Sequence, residues 1–250
     1  MEWQTRINKL YQKLRVTLGQ CDLCGNSISD NTNSLDTIIS PRLICCHCLA
    51  DLPLFTHTAT QGDLLNWPAI TKALPKIHFD HLFCLSPYLP PFTHWLPQFK
   101  YQGRFELASL FADLLAHQWR AFHFPINATP VDLIISVPLH ISKWQYRGYN
   151  QAHLIAKPLA IKLQLPYDET VLIRSKKSIS QVGKTGAQRR KSLTNAFALA
   201  HKLSAQVKHV ILVDDVLTTG STASEISKLL KHAGVSKVTV LTVCLTLPAR

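Results

Sequence analysis

Nowhere in this 250-residue chain does an apolar run reach the length that spans a bilayer, so a membrane span is not expected. The opening MEWQTRINKL has no apolar h-region and carries an acid at Glu2, which argues against a secretory signal and for a cytoplasmic protein. Charged residues make up only 17% against 46% hydrophobic, the balance of a globular chain rather than a disordered one. No internal repeat or low-complexity tract is present, and the G-x-G-x-x-G of a dinucleotide fold is missing. At this length, one large domain with a small appendage is the expected organisation.

Acids are missing from one long stretch. The chain has 27 Lys plus Arg against 15 Asp plus Glu, a formal +12, which suits phosphate-bearing partners but says nothing about fold. Between Glu169 and Asp214 there is no acid, while Arg174, Lys176, Lys177, Lys184, Arg189, Arg190, Lys191, Lys202 and Lys208 all fall there. Scattered lysines usually form a solvated face, but a run of bases with no intervening acid points to anion binding by part of the segment. Aromatics are also absent between Val171 and Leu193, so contacts there would be led by phosphate, without strong sequence preference.

Cysteines, by contrast, are concentrated. Cys21 and Cys24 form one C-x2-C pair and Cys45 and Cys48 a second, with twenty residues between the pairs. Each pair can deliver two thiolates to one side of a tetrahedral zinc ion, and Gly25 suits the tight knuckle, so a closed structural zinc site is expected. Cys46 and His47 lie inside the second pair and rank as bystanders. Upstream, Trp3, Ile7, Leu10, Tyr11, Leu14 and Leu18 recur at helical spacing. Residues 1–51 therefore read as a helix and zinc-binding module. Residues 52–80 read as a linker, with Pro53, Gly62, Pro68 and Pro75 breaking periodicity and one short helix near Trp67 to Leu74. Residues 81–250 read as the main domain, with Cys84 and Cys244 as buried thiols.

That main domain reads as α/β. Strands are predicted over 81–88, 132–137, 171–174, 197–199, 207–213 and 237–245. Helices are predicted over 104–122 and 151–163, the second kinked or broken at Pro158. A further helix starts from a Thr222/Glu225 capping box, carries Ile226, Leu229, Leu230 and Ala233 on one face, and ends at Gly234. Alternation of this kind predicts a parallel sheet covered by helices on both sides.

The run Val210 to Thr222, VILVDDVLTTGST, carries the chemistry. Two carboxylates, Asp214 and Asp215, stand at the carboxyl end of a strand, where ligands bind in such folds. The loop Thr218, Thr219, Gly220, Ser221 and Thr222 leads into a helix and offers hydroxyls, N–H groups and a helix dipole to an anion. Carboxylates beside such a cup would accept hydrogen bonds from sugar hydroxyls and hold Mg²⁺. A phosphate beside a diol describes a ribose 5-phosphate. A phosphoacceptor Mg²⁺ site would leave the hydroxyl-glycine loop without a job, and a bland surface turn would not need the whole run.

The run resembles the phosphoribosyl-diphosphate (PRPP) motif of type I phosphoribosyltransferases. Nearly the whole chain resembles the ComF/GntX family of competence-associated proteins, through the zinc head, Lys100-Tyr101-Gln102-Gly103, Val137-Pro138-Leu139-His140, Arg147-Gly148-Tyr149-Asn150-Gln151, Gln181 and Arg189-Arg190. The resemblance implies a type I phosphoribosyltransferase-like sheet, with Asp214 and Asp215 on the ribose hydroxyls and Thr218 to Thr222 on the 5-phosphate. It places Pro138, Leu139 and His140 at the pyrophosphate loop, and Arg147, Gln181, Arg189 and Arg190 on the flexible loop and basic surface. Lys143, Lys184 and Ser192 depart from the family pattern. No catalytic residue is assigned. The implied function is a competence protein that binds PRPP with Mg²⁺ and handles single-stranded DNA in the cytosol with a helicase-like partner. The alternative is an active transferase moving phosphoribose to an unidentified acceptor.

Overall fold

The computed structural model describes residues 18–28, 43–74, 76–121, 130–174 and 196–246. The helix expected upstream of Leu18 and most of the acid-free segment, including Gln181, Arg189 and Arg190, lie outside the described residues.

Five strands form one parallel sheet in the order β1-β7-β6-β2-β3. They are β1 His81–Pro87, β2 Leu133–Ser136, β3 Tyr167–Asp168, β6 His209–Leu217 and β7 Lys237–Leu245. Two further strands, β4 Leu172–Arg174 and β5 Phe197–Leu199, pair with each other antiparallel as a separate ribbon. Side chains alternate across the central strand as its two-residue period requires. Ile211 and Val213 bury on one face with Phe83 and Leu241, and Val210 and Leu212 on the other with Leu82 and Val240. Each such full burial stabilises by about 1.5–3 kcal/mol.

The first face is covered by α3 Phe92–Tyr101, α4 Glu106–Ala121 and α6 Gln151–Leu163. The second is covered by α2 Pro68–Ala73 and α7 Ser221–His232, with the β4–β5 ribbon. Two short helices complete the set, α1 Cys46–Ala50 and α5 Ile141–Arg147.

Several expectations shift. Helix α3 was not predicted, because Pro97 interrupts its reading; Phe92, Trp95, Leu96 and Phe99 at helical spacing are all buried, and their packing overrides the proline. Helix α6 likewise continues through Pro158 instead of breaking. The stretch 52–80, expected as a linker, carries α2 inside the predicted window but is packed against the sheet. Leu64, Ile70, Leu74 and Phe79 are buried, and the His57 ring stacks on Phe83 with centroids 4.2 Å apart. Short 3-10 turns at His57–Thr60 and Leu64–Asn66 bury side chains without any repeating period, so periodicity could not show them.

Candidate functional site

Strand β6 runs four residues further than predicted. Asp214 and Asp215 are therefore the sixth and seventh of its nine residues and do not lie after its end. On one side β6 stays paired with β7 to Leu217↔Leu245. On the other side β2 stops at Ser136, opposite Val213, and the Val137 N–H donates to the Val213 carbonyl at 2.9 Å. Beyond that bond the two carboxylates border an open crevice. Chain direction makes the crevice a switch point: β2 continues to β3 on one side, and β6 continues to β7 on the other. Open α/β sheets bind ligands at such a place.

The walls come from several elements. Pro138 and Leu139 leave β2, while His140 opens α5 by accepting the Trp144 N–H at 2.9 Å. Lys143 and Arg147 come from α5, Lys100 from α3, Asn150 and Gln151 from the start of α6, and Arg174 from the end of β4. Thr218 and Thr222 close the side beyond Asp214 and Asp215, around a cleft of about 270 Å³. Four cations thus face two carboxylates.

Lys100 Nζ lies 3.0 Å from Asp215. The Asp215 N–H donates to Asp214 Oδ1 at 2.8 Å. Burial, and then the charge of Asp215, pushes the Asp214 carboxyl up to about 7. Desolvation, and then Arg147, Arg174 and Lys100, lower the Lys143 ammonium from its ordinary value. Arg147 is fixed from two sides: Nη1 donates to Gln151 Oε1 at 3.0 Å and Nη2 to the Tyr101 hydroxyl at 2.9 Å. Arg147 Nε, Gln151 Nε2 and Arg174 Nε, on three residues that line the cleft, are buried donors with no hydrogen-bond partner among the described residues. Buried N–H groups are normally paired, so a small shift that uncovered them would offer donors to an incoming acceptor.

After Leu217 the chain turns through Thr218 and Thr219 to Gly220, which has φ +68° and forms the N-cap of α7. The expected Thr222/Glu225 capping box does not form. The helix begins one residue earlier than Thr222, no side chain caps it, and Thr222 instead faces the cleft. Thr219 Oγ1 and Ser221 Oγ lie 2.9 Å apart in the same turn.

The second candidate site is the cysteine head. The sulfurs of Cys21, Cys24, Cys45 and Cys48 all lie within 4.8 Å of one another, and Cys46 and His47 are not part of the group. Cys24 Sγ and Cys45 Sγ are 3.8 Å apart, matching the edge of about 3.8 Å expected for a tetrahedron with Zn–S bonds of about 2.3 Å. The Cys45 N–H donates to Cys21 Sγ at 3.3 Å. Burial alone would raise the Cys21 thiol, but backbone N–H groups around Cys24, Cys45 and Leu23 hold it at about 7. The donor set fits a metal ion.

Of the residues singled out from the sequence, the structure brings Asp214, Asp215, Thr218, Thr222, Pro138 and Leu139 together around one cleft. Arg147, expected on the flexible loop and basic surface, lines the same cleft from helix α5. Lys100, Lys143, Asn150, Gln151 and Arg174 had been given no role in the cleft. Their sequence signals were the Lys100–Gly103 and Arg147–Gln151 patterns, the run of bases and, for Lys143, its departure from the family pattern.

Comparison with known proteins follows the same lines. Residues 150–249 match the Phosphoribosyl transferase domain. Competence protein F of Haemophilus influenzae is 34% identical over 209 residues, covering 81% of this chain and 90% of that protein. DNA utilization protein YhgH of Escherichia coli is 34% identical over 235 residues, covering 94% and 95%. Among solved structures, adenine phosphoribosyltransferase from Saccharomyces cerevisiae aligns at 18% identity and TM-score 0.34, covering 61% of this chain and 75% of that one. Glutamine PRPP amidotransferase from B. subtilis aligns at 18% identity and TM-score 0.36, covering 58% of this chain and 30% of that one.

Proposed function

This chain belongs to the family of competence protein F and DNA utilization protein YhgH, and from that premise we propose that its cleft binds PRPP with Mg²⁺ in a cytosolic protein that handles single-stranded DNA. One observation carries the reading: β6 extends Asp214 and Asp215 into the switch-point crevice, directly before the Gly220 turn and opposite Lys100, Lys143, Arg147 and Arg174. The carboxylates accept the ribose hydroxyls. Thr218 to Thr222 receives the 5-phosphate at the start of α7, where N–H groups and the helix dipole favour an anion. The cationic wall and the Pro138, Leu139 and His140 segment receive the pyrophosphate, assisted by Gln181, Arg189 and Arg190. Mg²⁺, when bound, neutralises phosphate charge beside the two acids. Asp215 is held by Lys100 until the ligand arrives, so binding exchanges that ion pair for a diol contact on the acid and a phosphate contact on the lysine.

Zinc held by Cys21, Cys24, Cys45 and Cys48 is the structural part of the same reading. The names of the relatives, competence and DNA utilization, support the DNA role, and the acid-free run of bases supplies the charge for it. A helicase-like protein is the partner class that fits such work. The same cationic wall would also stabilise pyrophosphate as it leaves C1 of the ribose, which favours phosphoribosyl transfer as a second reading. Thermal unfolding with and without PRPP·Mg²⁺ tests the binding site: the melting temperature rises for the parent, and an unchanged temperature at saturating ligand rejects it. Pyrophosphate release with a panel of nucleobases tests transfer.

A further inference from the structure

Helix α5 carries Lys143 and Arg147, four residues apart, on the side that lines the cleft. Trp144 and Tyr146 fall on either flank of that side, 52% and 80% exposed. None of the described side chains of this helix is buried, so its aromatics are not core residues displaced by a turn. Tyr101, at the end of α3, joins them: its ring is 56% exposed, meets Tyr146 edge-on with centroids 6.4 Å apart, and lies 4.8 Å from the Arg147 guanidinium carbon. Single exposed aromatics are ordinary on a protein surface. Three together, interleaved with cations that continue into a cleft, are not.

We propose that Tyr101, Trp144 and Tyr146 form a stacking platform for the bases of single-stranded DNA whose phosphates run along Lys143 and Arg147. The proposal rests on the DNA-handling part of the function above and gives it a place, because the acid-free run of bases itself holds no aromatic between Val171 and Leu193. Alternating flat apolar rings and cations is the chemistry of sequence-tolerant single-strand binding: rings take the faces of successive bases, and cations take the backbone.

Fluorescence anisotropy with two oligonucleotides of equal length separates the parts, one of thymidines and one of abasic sugar-phosphate, each at two salt concentrations. The parent protein binds the thymidine strand more tightly than the abasic one. Trp144→Ala with Tyr146→Ala loses roughly thirtyfold or more for the thymidine strand and little for the abasic strand, whereas Trp144→Phe with Tyr146→Phe keeps most of the parent's affinity. The salt dependence, set by phosphate contacts, stays the same. The PRPP·Mg²⁺ melting shift reports that each double variant is folded. If the parent binds both strands equally, or the alanine double variant binds the thymidine strand as the parent does, the platform is overturned while DNA binding stands. If the parent binds neither strand, the DNA reading falls and the platform with it, leaving PRPP binding untouched.

Discussion

In the cysteine head four sulfurs converge on one point, tied inward by the Cys45 N–H, with the whole turn anchored to the main domain through Asp22. In the cleft, four cations and two carboxylates line a space of about 270 Å³, and three buried donors remain unspent. Both places gather groups that repel one another. The head directs its groups at a single centre, as a structural metal site does. The cleft spreads its groups along a wall and leaves donors unmatched, as a site awaiting a polyatomic anion does. Convergence against leftover capacity is a physical way to tell a structural site from a binding site.

Removing the metal is the harshest way to break that comparison. Cys21, Leu43, Ile44 and Cys45 are buried in one cluster with Trp95, Phe99 and Phe111, so the head is not an independent appendage. Cys45→Ser, or a strong chelator, should lower the melting temperature of the whole chain, because a metal held by such a site contributes its binding free energy to folding. Elemental analysis should find one zinc per unchelated chain; clearly less would reject the assignment.

Next in size is the anchor. Asp22 accepts the Trp95 indole N–H at 2.8 Å and pairs with Arg104 at 3.1 Å, with side chains only 7% and 5% exposed. Asp22→Ala leaves a buried guanidinium with Glu106 as its remaining acid, and should cost about 3–5 kcal/mol while the sulfur ligands stay intact. Denaturant unfolding measures the loss, and zinc content read on the folded variant should not change. A loss under about 1 kcal/mol would mean that the head is held by its apolar contacts alone.

The cleft should behave in the opposite way, with binding lost and stability kept. Asp214→Ala with Asp215→Ala should abolish the PRPP·Mg²⁺ shift, a stabilisation of about 2.7 kcal/mol at a hundredfold excess over the dissociation constant. A double variant that responds as the parent does would move the site elsewhere. The acid pair also sets a pH dependence. Raised from an ordinary 3.8 to about 7, Asp214 favours the folded state most below 3.8, and that contribution is lost as pH rises through 7. Ligand needs the ionised form, so the PRPP·Mg²⁺ shift should grow between pH 6 and pH 8. Lys100 and Lys143 oppose the raised value, and Lys100→Ala should move the midpoint of that growth upward.

Much of this was legible in the sequence, and unevenly so. The cysteine spacing and VILVDDVLTTGST are local, and the structure brings the residues of each together as that spacing suggests. Helix α6 has the predicted bounds, Gln151 and Leu163, and the Asn150 side chain that caps it is a local feature of the chain. Lys100, Asn150 and Arg174 reach the cleft only because three separate elements converge there, which no spacing along the chain encodes. Helix α3 was hidden by Pro97, where tertiary packing of Phe92, Trp95, Leu96 and Phe99 outweighs a local penalty. The extra length of β6 depends on β7 continuing beside it, again a partner remote in sequence.

The smallest expected effect makes the sharpest comparison, because it concerns a residue inside the candidate site. Gly220 has φ +68°, a conformation that costs an L-residue about 1–2 kcal/mol. A Cβ there would meet Leu74, Ile77 and Phe79 at 3.5–3.6 Å, ordinary contact distances, so backbone conformation is the whole of the penalty. Those neighbours belong to the apolar layer under α7, so the added methyl group points toward them and not into the cleft. Gly220→Ala should therefore lower stability by about 1–2 kcal/mol, and Gly220→Asn by less, since asparagine tolerates the left-handed region. Both variants should keep the PRPP·Mg²⁺ melting shift at nearly the parent size. Loss of that shift in Gly220→Ala, at full folding, would mean that the ligand approaches this backbone from the side of Leu74 and Phe79, and the 5-phosphate cup would have to be redrawn there.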